Sequence, residues 1–254
     1  MAKEGKAKGE AAREAAPEGR SVLERIPTGI PGLDELTAGG FERGSTVLVC
    51  GETGAGKTTF GLQFLHNGAR EHGEAGLFIS FGESGKSLYR HAAGFGWDFA
   101  GLEKEGLFRL VRYEPHEVAK LIEEGGGTIR DTIDAIGAKR IVLDSLTSYS
   151  LLFESSYRTR ESVLELFDLL QSWKCTSLLT TDVRAGGEEL ESSGVEFLVD
   201  AIILLYHPRK ESVRLRALEV LKLRGSPHAE HLAPFTFEKN GIVVYPDEEV
   251  FEKV

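Results

Sequence analysis

The sequence predicts an α/β fold in which a mostly parallel central sheet is covered by helices on both faces and extended by antiparallel strands near the C-terminus. Short apolar runs alternate with helical segments along most of the chain. These runs are apolar at every position rather than at every second one, which is typical of strands buried on both faces. With 254 residues and 41% hydrophobic content, the chain is long enough for one domain with a full core.

The predicted parallel strands are residues 45–50 (STVLVC), 75–81 (AGLFISF), 140–145 (RIVLDS), 176–182 (TSLLTTD) and 200–207 (DAIILLYH). Helices are predicted over residues 57–72, 84–94 and 160–173. Residues 213–224 alternate in places, and residues 235–246 set Asn240 and Gly241 between two strand-like runs, which indicates a hairpin. These last two segments predict the antiparallel extension.

The chain divides into a tail and one domain. Residues 1–20 are rich in Ala, Gly, Lys and Glu without an apolar period, so we expect a flexible tail there and a single domain over residues 21–254. Residues 26–44 combine turn residues with spaced apolar positions and predict a lead-in that packs on the edge of the domain.

Charge and hydropathy disfavour several classes of partner. The net charge of −10 disfavours binding to nucleic acid or anionic membranes through bulk electrostatics. The sequence contains no run of 18 apolar residues and no apolar signal core at its N-terminus. We therefore expect a cytoplasmic protein without membrane insertion.

A phosphate-binding loop is predicted between the first strand and the first helix. Residues 51–58 (GETGAGKT) fit the pattern G-x-x-x-x-G-K-[ST], in which glycines let backbone N–H groups surround a phosphate at a helix N-terminus. Lys57 is spaced to reach the β and γ phosphates, and the Thr58 hydroxyl to bind Mg²⁺. The residues predicted to hold the nucleotide are Gly51, Glu52, Thr53, Gly54, Ala55, Gly56, Lys57, Thr58 and Thr59.

Two further strands end in polar residues. Asp144 is predicted at the C-terminal edge of the sheet, where α/β proteins bind ligands, and its carboxylate would hold a water of the Mg²⁺ shell. The alternative is an aspartate that caps the following turn. The segment from Thr180 to Asp182 resembles a sensor of the γ-phosphate, although a strand that runs into a polar turn is also common.

From about Ile26 to Pro246 the sequence resembles a single KaiC-type domain of the RecA-like ATPase superfamily. The motifs that carry this resemblance are residues 27–44 (PTGIPGLDELTAGGFERG), the phosphate loop, and residues 83–98, 140–145, 193–205, 222–228 and 234–237. The resemblance implies a RecA-like P-loop fold that binds ATP and Mg²⁺, with the site completed at a subunit interface, usually in a hexameric ring. Lys222 and Arg224 of a neighbouring copy would then reach the γ-phosphate. Taken alone, their alternation is usually no more than the pattern of a solvated strand face.

One position departs from the family pattern. Members typically end the second strand with two glutamates, of which the first activates water, whereas this chain has Gly82 and Glu83. Side chains one residue apart on a strand point to opposite faces, so Glu83 substitutes for the missing carboxylate only if the chain twists at Gly82. Because a positioned base is worth about 10² to 10⁴ in rate, we expect slow basal hydrolysis.

Three functions follow as alternatives. The first is an oligomeric regulatory or assembly ATPase, and the second is an ATP-dependent scaffold that hardly hydrolyses and docks an unidentified protein partner. The third is a recombination-type DNA-binding protein. Residues 184–194 (RAGGEELESSG) carry three glutamates and one arginine, which disfavours phosphate contacts, whereas Arg158 and Arg160 keep a weak contact possible.

Overall fold

The computed structural model describes residues 24–114, 117, 125–150, 153, 155–182 and 196–248. The predicted tail over residues 1–20 and the acidic segment over residues 184–194 lie outside the described residues. The described strands are β1 (Arg25–Ile26), β2 (Phe41–Glu42), β3 (Thr46–Gly51), β4 (Gly76–Ser80), β5 (Phe108–Arg112), β6 (Arg140–Asp144), β7 (Thr176–Asp182), β8 (Ala201–Tyr206), β9 (Arg209–Lys210), β10 (Val213–Arg214), β11 (Ala217–Leu223), β12 (Ala233–Glu238) and β13 (Gly241–Val244). The described helices are α1 (Leu33–Leu36), α2 (Lys57–His72), α3 (Gly85–Gly94), α4 (Phe99–Lys104), α5 (Gly127–Ile136), α6 (Leu146–Ser150) and α7 (Ser156–Trp173).

A nine-stranded sheet forms the centre of the protein, in the order β13-β12-β11-β8-β3-β7-β6-β4-β5. The six strands from β8 to β5 are parallel to one another. Strands β11, β12 and β13 continue the sheet in antiparallel fashion beside β8. The predicted fold class is therefore confirmed, and β3 lies inside the parallel part.

Helices cover both faces of this sheet. Helices α2, α3 and α4 bury their apolar residues in one core cluster, together with the C-terminal hairpin. Helices α5, α6 and α7 pack on the other face in a second cluster. Val47 and Val49 belong to the first cluster and Leu48 to the second, because successive strand residues point to opposite faces.

Several elements escaped the sequence analysis. Strand β5 carries Arg109 and Arg112 and lies at the edge of the sheet, where charged side chains face solvent and hide the strand pattern. Helices α4 and α5 were not predicted either. Helix α7 begins four residues earlier than predicted, after Ser155, whose hydroxyl accepts a hydrogen bond from the backbone of Arg158.

The C-terminal hairpin packs against helix α2. The buried side chain of Gln63 accepts a hydrogen bond from the backbone N–H of Ile242 and donates one to its carbonyl. Strand pairing joins Glu238 to Gly241, so the two turn residues are Lys239 and Asn240, one position before the predicted pair. Gly241 instead opens β13 with a φ of 116°, which favours glycine.

Candidate nucleotide-binding site

The predicted phosphate loop connects β3 to α2 at the C-terminal edge of the sheet. Gly54 and Gly56 have φ angles of 82° and 114°, so the tight turn requires glycine at both positions. The loop residues Thr53 and Gly54 are exposed, whereas Lys57 is buried at the first position of α2. The N-terminus of this 16-residue helix therefore presents free backbone N–H groups and a positive dipole end to an anion.

The ammonium group of Lys57 is fully engaged. It donates to the carbonyl oxygens of Gly51 at 2.8 Å and Glu52 at 3.0 Å, and to Oδ1 of Asp182 at 2.8 Å. These contacts use all three donors of a lysine. A phosphate that binds to Lys57 has to replace at least one of them. Asp182 belongs to the segment that resembles a sensor of the γ-phosphate, but its pairing with Lys57 was not predicted.

The two predicted metal ligands contact each other. Thr58 Oγ1 on α2 donates at 2.7 Å to Oδ2 of Asp144, the last residue of β6. The hydroxyl of Thr180 on β7 donates to the other oxygen, Oδ1. Both carboxylate oxygens of Asp144 thus face hydroxyls of other elements and not the turn that follows. Carboxylate and hydroxyl oxygens are the hard donors that Mg²⁺ prefers.

Glu83 follows β4, the strand next to that of Asp144, but its carboxylate points at His91 of α3. Strand β4 ends at Ser80, whose hydroxyl donates to the carbonyl oxygen of Glu83 at 2.9 Å. The Glu83 carboxylate lies 2.9 Å from Nδ1 of His91. His91 is the seventh residue of α3, about 9 Å along the axis from its first residue. Helix α3 lies on the connection between the parallel strands β4 and β5, so it runs back from the C-terminal ends of the strands. The contact with His91 therefore directs the Glu83 carboxylate along α3.

Gly82 does not adopt the unusual backbone that the sequence allowed. It is absent from the glycines with positive φ in the described part of the chain. Residues 81–83 form a bend after the strand, so strict alternation of faces does not govern Glu83. A Cβ atom added to Gly82 would meet nothing within 4 Å. The backbone at this position therefore leaves room for a Cβ atom.

Lys222 and Arg224 lie toward the N-terminal ends of the parallel strands, whereas the phosphate loop lies at their C-terminal ends. Lys222 is paired with Ile202, whereas Gly51 at the start of the loop is paired with Leu205 of the same strand. The three-residue offset corresponds to about 10 Å along β8. The structure does not bring these two cations to the loop of their own chain.

The contacts of both cations are with the segment before β8. A bulge at Leu221 turns Lys222 to the opposite face from Val220, and Lys222 Nζ donates to the carbonyl oxygens of Glu196 at 2.9 Å and Val199 at 2.7 Å. Burial, followed by the nearby Arg224 guanidinium, lowers the pKa of Lys222.

Arg224 uses the same segment. Its side chain contacts Asp200 Oδ1 at 3.3 Å and the carbonyl oxygen of Phe197 at 2.5 Å. More than half of its side chain is exposed, so the guanidinium is accessible to a neighbouring molecule.

Arg216, the residue just before β11, was not identified from the sequence. Its guanidinium donates to the carbonyl oxygens of Gly54 and Ala55, both at 3.1 Å, and stacks 4.5 Å from the ring centre of Phe237. The same ring packs under Gly56, where a Cβ atom would lie 2.7 Å from it. Only the register of the antiparallel extension brings Arg216 to the loop, and no local motif signals this position.

Within the residues that the structure describes, no helix is long and apolar enough to cross a membrane. Likewise, no group of three or more His, Cys, Asp and Glu side chains in this part of the chain is arranged to hold a metal ion.

Comparison with known proteins agrees with this geometry. Residues 26–249 match the family described as "ATPase: KaiC". A UPF0273 protein of Pyrococcus furiosus is 36% identical over 239 residues, which cover 89% of this chain and 96% of that protein. The circadian clock protein KaiC2 of Synechocystis is also 36% identical, over 88% of this chain, but the chain spans only 40% of its length.

A solved structure gives the same result. The crystal structure of a KaiC-like protein from Pyrococcus horikoshii has a TM-score of 0.79 and 39% sequence identity, covering 88% of this chain and all of that one. The residues that match the family, 26–249, include the parallel sheet, the phosphate loop and the antiparallel extension. The protein belongs to the KaiC-like family of ATPases.

Proposed function

We propose that this protein binds Mg-ATP at the loop from Gly51 to Thr59 and hydrolyses it slowly, in an oligomer in which a neighbouring subunit completes each site. Membership of the family implies nucleotide binding. The observation that carries the proposal is the convergence of Lys57, Thr58 and Asp144 at one edge of the sheet. These side chains are a buried cation, a hydroxyl and a carboxylate, the groups that a nucleotide triphosphate with its metal requires.

Each of these residues has a separate role. Lys57 would exchange part of its present contacts for oxygens of the β and γ phosphates. Thr58 would bind Mg²⁺ directly, and Asp144 would hold a water of the metal shell. When bound, Mg²⁺ neutralises the charge that develops on the β and γ phosphates.

The site needs cations from a second copy of this chain. Lys222 and Arg224 lie toward the N-terminal ends of the parallel strands, away from the loop of their own chain. This position supports their contact with the loop of a neighbouring subunit. In a closed ring each subunit presents one edge to the next, so every loop would receive one such pair. A cation supplied in this way can raise phosphoryl transfer by orders of magnitude.

Slow turnover follows from residues 82 and 83, which come just after β4 and provide a single carboxylate. Gly82 has no side chain, and Glu83 pairs with His91. In our proposal Glu83 orients the attacking water only in molecules in which it has left His91, which keeps basal hydrolysis low. We infer a cytoplasmic regulatory or assembly ATPase that acts on a protein partner.

The second candidate function is an ATP-dependent scaffold that does not turn over ATP. The pairing of Glu83 with His91, together with Gly82, favours it. A role in DNA binding has less support, since the net charge is −10 and residues 184–194 carry three glutamates against one arginine.

Light scattering after size exclusion tests the proposal in the nucleotide-free, ADP and Mg-ATP states, with phosphate release measured on the same fractions. We expect a hexamer with Mg-ATP, and phosphate release in that fraction. A monomer in all three states contradicts the role of Lys222 and Arg224. An oligomer that binds ATP without releasing phosphate supports the scaffold instead. Lys57→Ala, which removes the buried ammonium, serves as the control without nucleotide binding.

A further inference from the structure

Asp182 is a second carboxylate at the phosphate loop. It is the last residue of β7, and in the sheet it pairs directly with Gly51, the first residue of the loop. Its Oδ1 lies 2.8 Å from Nζ of Lys57, and 43% of its side chain is exposed. Asp182 is thus one hydrogen bond from the group that would hold the phosphates, and it is open to solvent on its other side.

The backbone of Asp182 is held in place. Its N–H donates to Thr147 Oγ1 at 2.8 Å, and the same hydroxyl lies 3.3 Å from that of Thr181. Thr147 belongs to α6, which follows the predicted metal ligand Asp144. The strand end is therefore fixed to the element beside the metal site, so a phosphate that replaces the contact between Asp182 and Lys57 displaces only the side chain of Asp182.

Glu83 is less well placed for the same task. Its carboxylate is drawn along α3 by His91, whereas that of Asp182 points at Lys57. The two carboxylates also approach from different strands, β4 and β7, and only β7 is adjacent to β3 in the sheet. Of the two groups, Asp182 is closer to where the terminal phosphate would lie.

We propose that Asp182 orients the attacking water and carries a larger share of the residual ATP turnover than Glu83. This assignment rests on the proposed function, because it needs ATP in the loop. In the step, the water oxygen forms a bond to the γ-phosphorus while the bond from that phosphorus to the β,γ-bridging oxygen breaks. ADP leaves with the bond electrons, and the proton of the water passes to solvent through phosphate, so that the products are ADP, phosphate and one proton. Asp182 accepts a hydrogen bond from the water.

The decisive comparison uses two isosteric variants, Asp182→Asn and Glu83→Gln. Single-turnover hydrolysis of γ-labelled ATP is followed at saturating protein, so that affinity does not affect the rate. We expect Asp182→Asn to slow hydrolysis at least tenfold and by more than Glu83→Gln does. A loss in Asp182→Asn that is smaller than tenfold, or no larger than that in Glu83→Gln, overturns the proposal.

Nucleotide binding gives a readout that does not depend on turnover. Removing a negative charge that faces the γ-phosphate should favour ATPγS over ADP, so the ratio of their affinities should rise at least twofold in Asp182→Asn and stay unchanged in Glu83→Gln. Equal effects on both nucleotides would make Asp182 a counter-ion of Lys57 alone and overturn the proposal.

Asp182→Glu covers the case in which the asparagine variant does not fold. It keeps the charge pair with Lys57 but moves the carboxylate by one methylene, and a displacement of about 1 Å can cost about 10² in rate. We expect slower hydrolysis than in Glu83→Gln, and the opposite order overturns the proposal. Failure of the unmodified protein to bind ATP would instead contradict the proposed function itself.

Discussion

Replacing Gly82 by glutamate places a carboxylate just after β4, at the position where the resemblance to the family implies a water-activating glutamate. The backbone accepts the substitution, because Gly82 does not have a positive φ and a Cβ atom there meets nothing within 4 Å. We therefore expect the unfolding free energy of Gly82→Glu to stay within about 0.5 kcal/mol of the unmodified protein, as for an ordinary surface substitution.

The gain in rate can be estimated from two opposing terms. A positioned base contributes about 10² to 10⁴. Ordering a glutamate side chain on an exposed bend costs about 1.5 to 2 kcal/mol of rotamer entropy, which removes a factor of roughly 10 to 30. We expect phosphate release by the oligomer to rise between about threefold and about a thousandfold.

The assay is steady-state phosphate release at saturating Mg-ATP, with Gly82→Gln as the matched control. Glutamine has the same size but no charge, so it should leave the rate within about twofold of the unmodified protein. Equal or lower turnover in a correctly folded Gly82→Glu would refute the reasoning. An equal rise in Gly82→Gln would show that the effect comes from the side-chain bulk and not from the carboxylate.

Two further predictions concern stability. Gly56→Ala should cost about 2 to 4 kcal/mol of unfolding free energy in urea, because the backbone is strained at a φ of 114° and the new Cβ lies 2.7 Å from the ring of Phe237. Gly54→Ala also has a positive φ but open space around the Cβ, so it should cost about 1 kcal/mol. Equal losses in the two variants would contradict the packing argument. Burial raises the pKa of Glu74, but the hydrogen bonds and charges of fully buried Arg140 and of Arg43 together outweigh it, and the net pKa is lowered. The stability from this pair is therefore complete above about pH 4.5 and is lost as the pH falls through the lowered pKa. Glu74→Gln should cost about 3 kcal/mol at neutral pH and flatten the loss below pH 4.5, while exposed Glu24→Gln should change neither.

The fold could be predicted well where burial is uniform. Strands β3, β4, β6, β7 and β8 are apolar along almost their whole length because helices cover both faces, and the sequence pattern located all five. Edge strand β5 is half solvated and carries arginines, so its pattern is lost. The short helix α4 depends on a cap by Asp98 and on packing, and it has too few residues for a helical period.

The candidate site could be predicted only in part. The loop residues and Asp144 follow from spacing and from the position of a strand end. The contact of Asp182 with Lys57 depends on the order of the strands, since β7 lies beside β3 although more than a hundred residues separate them in sequence. The partner of Glu83 depends on the direction of α3. Neither relation is encoded within a local window of sequence.

The central claim, that two copies of this chain form each ATP site, is tested most directly by mixing two inactive variants. Lys57→Ala lacks the phosphate-binding cation, and Arg224→Ala lacks the exposed cation near the opposite edge of the sheet. We expect each variant alone to release almost no phosphate. In an equimolar mixture, random association would combine an intact loop with an intact neighbour at about one quarter of the interfaces, so about one quarter of the unmodified rate should return. A mixed oligomer that forms but stays as inactive as its components would contradict the account.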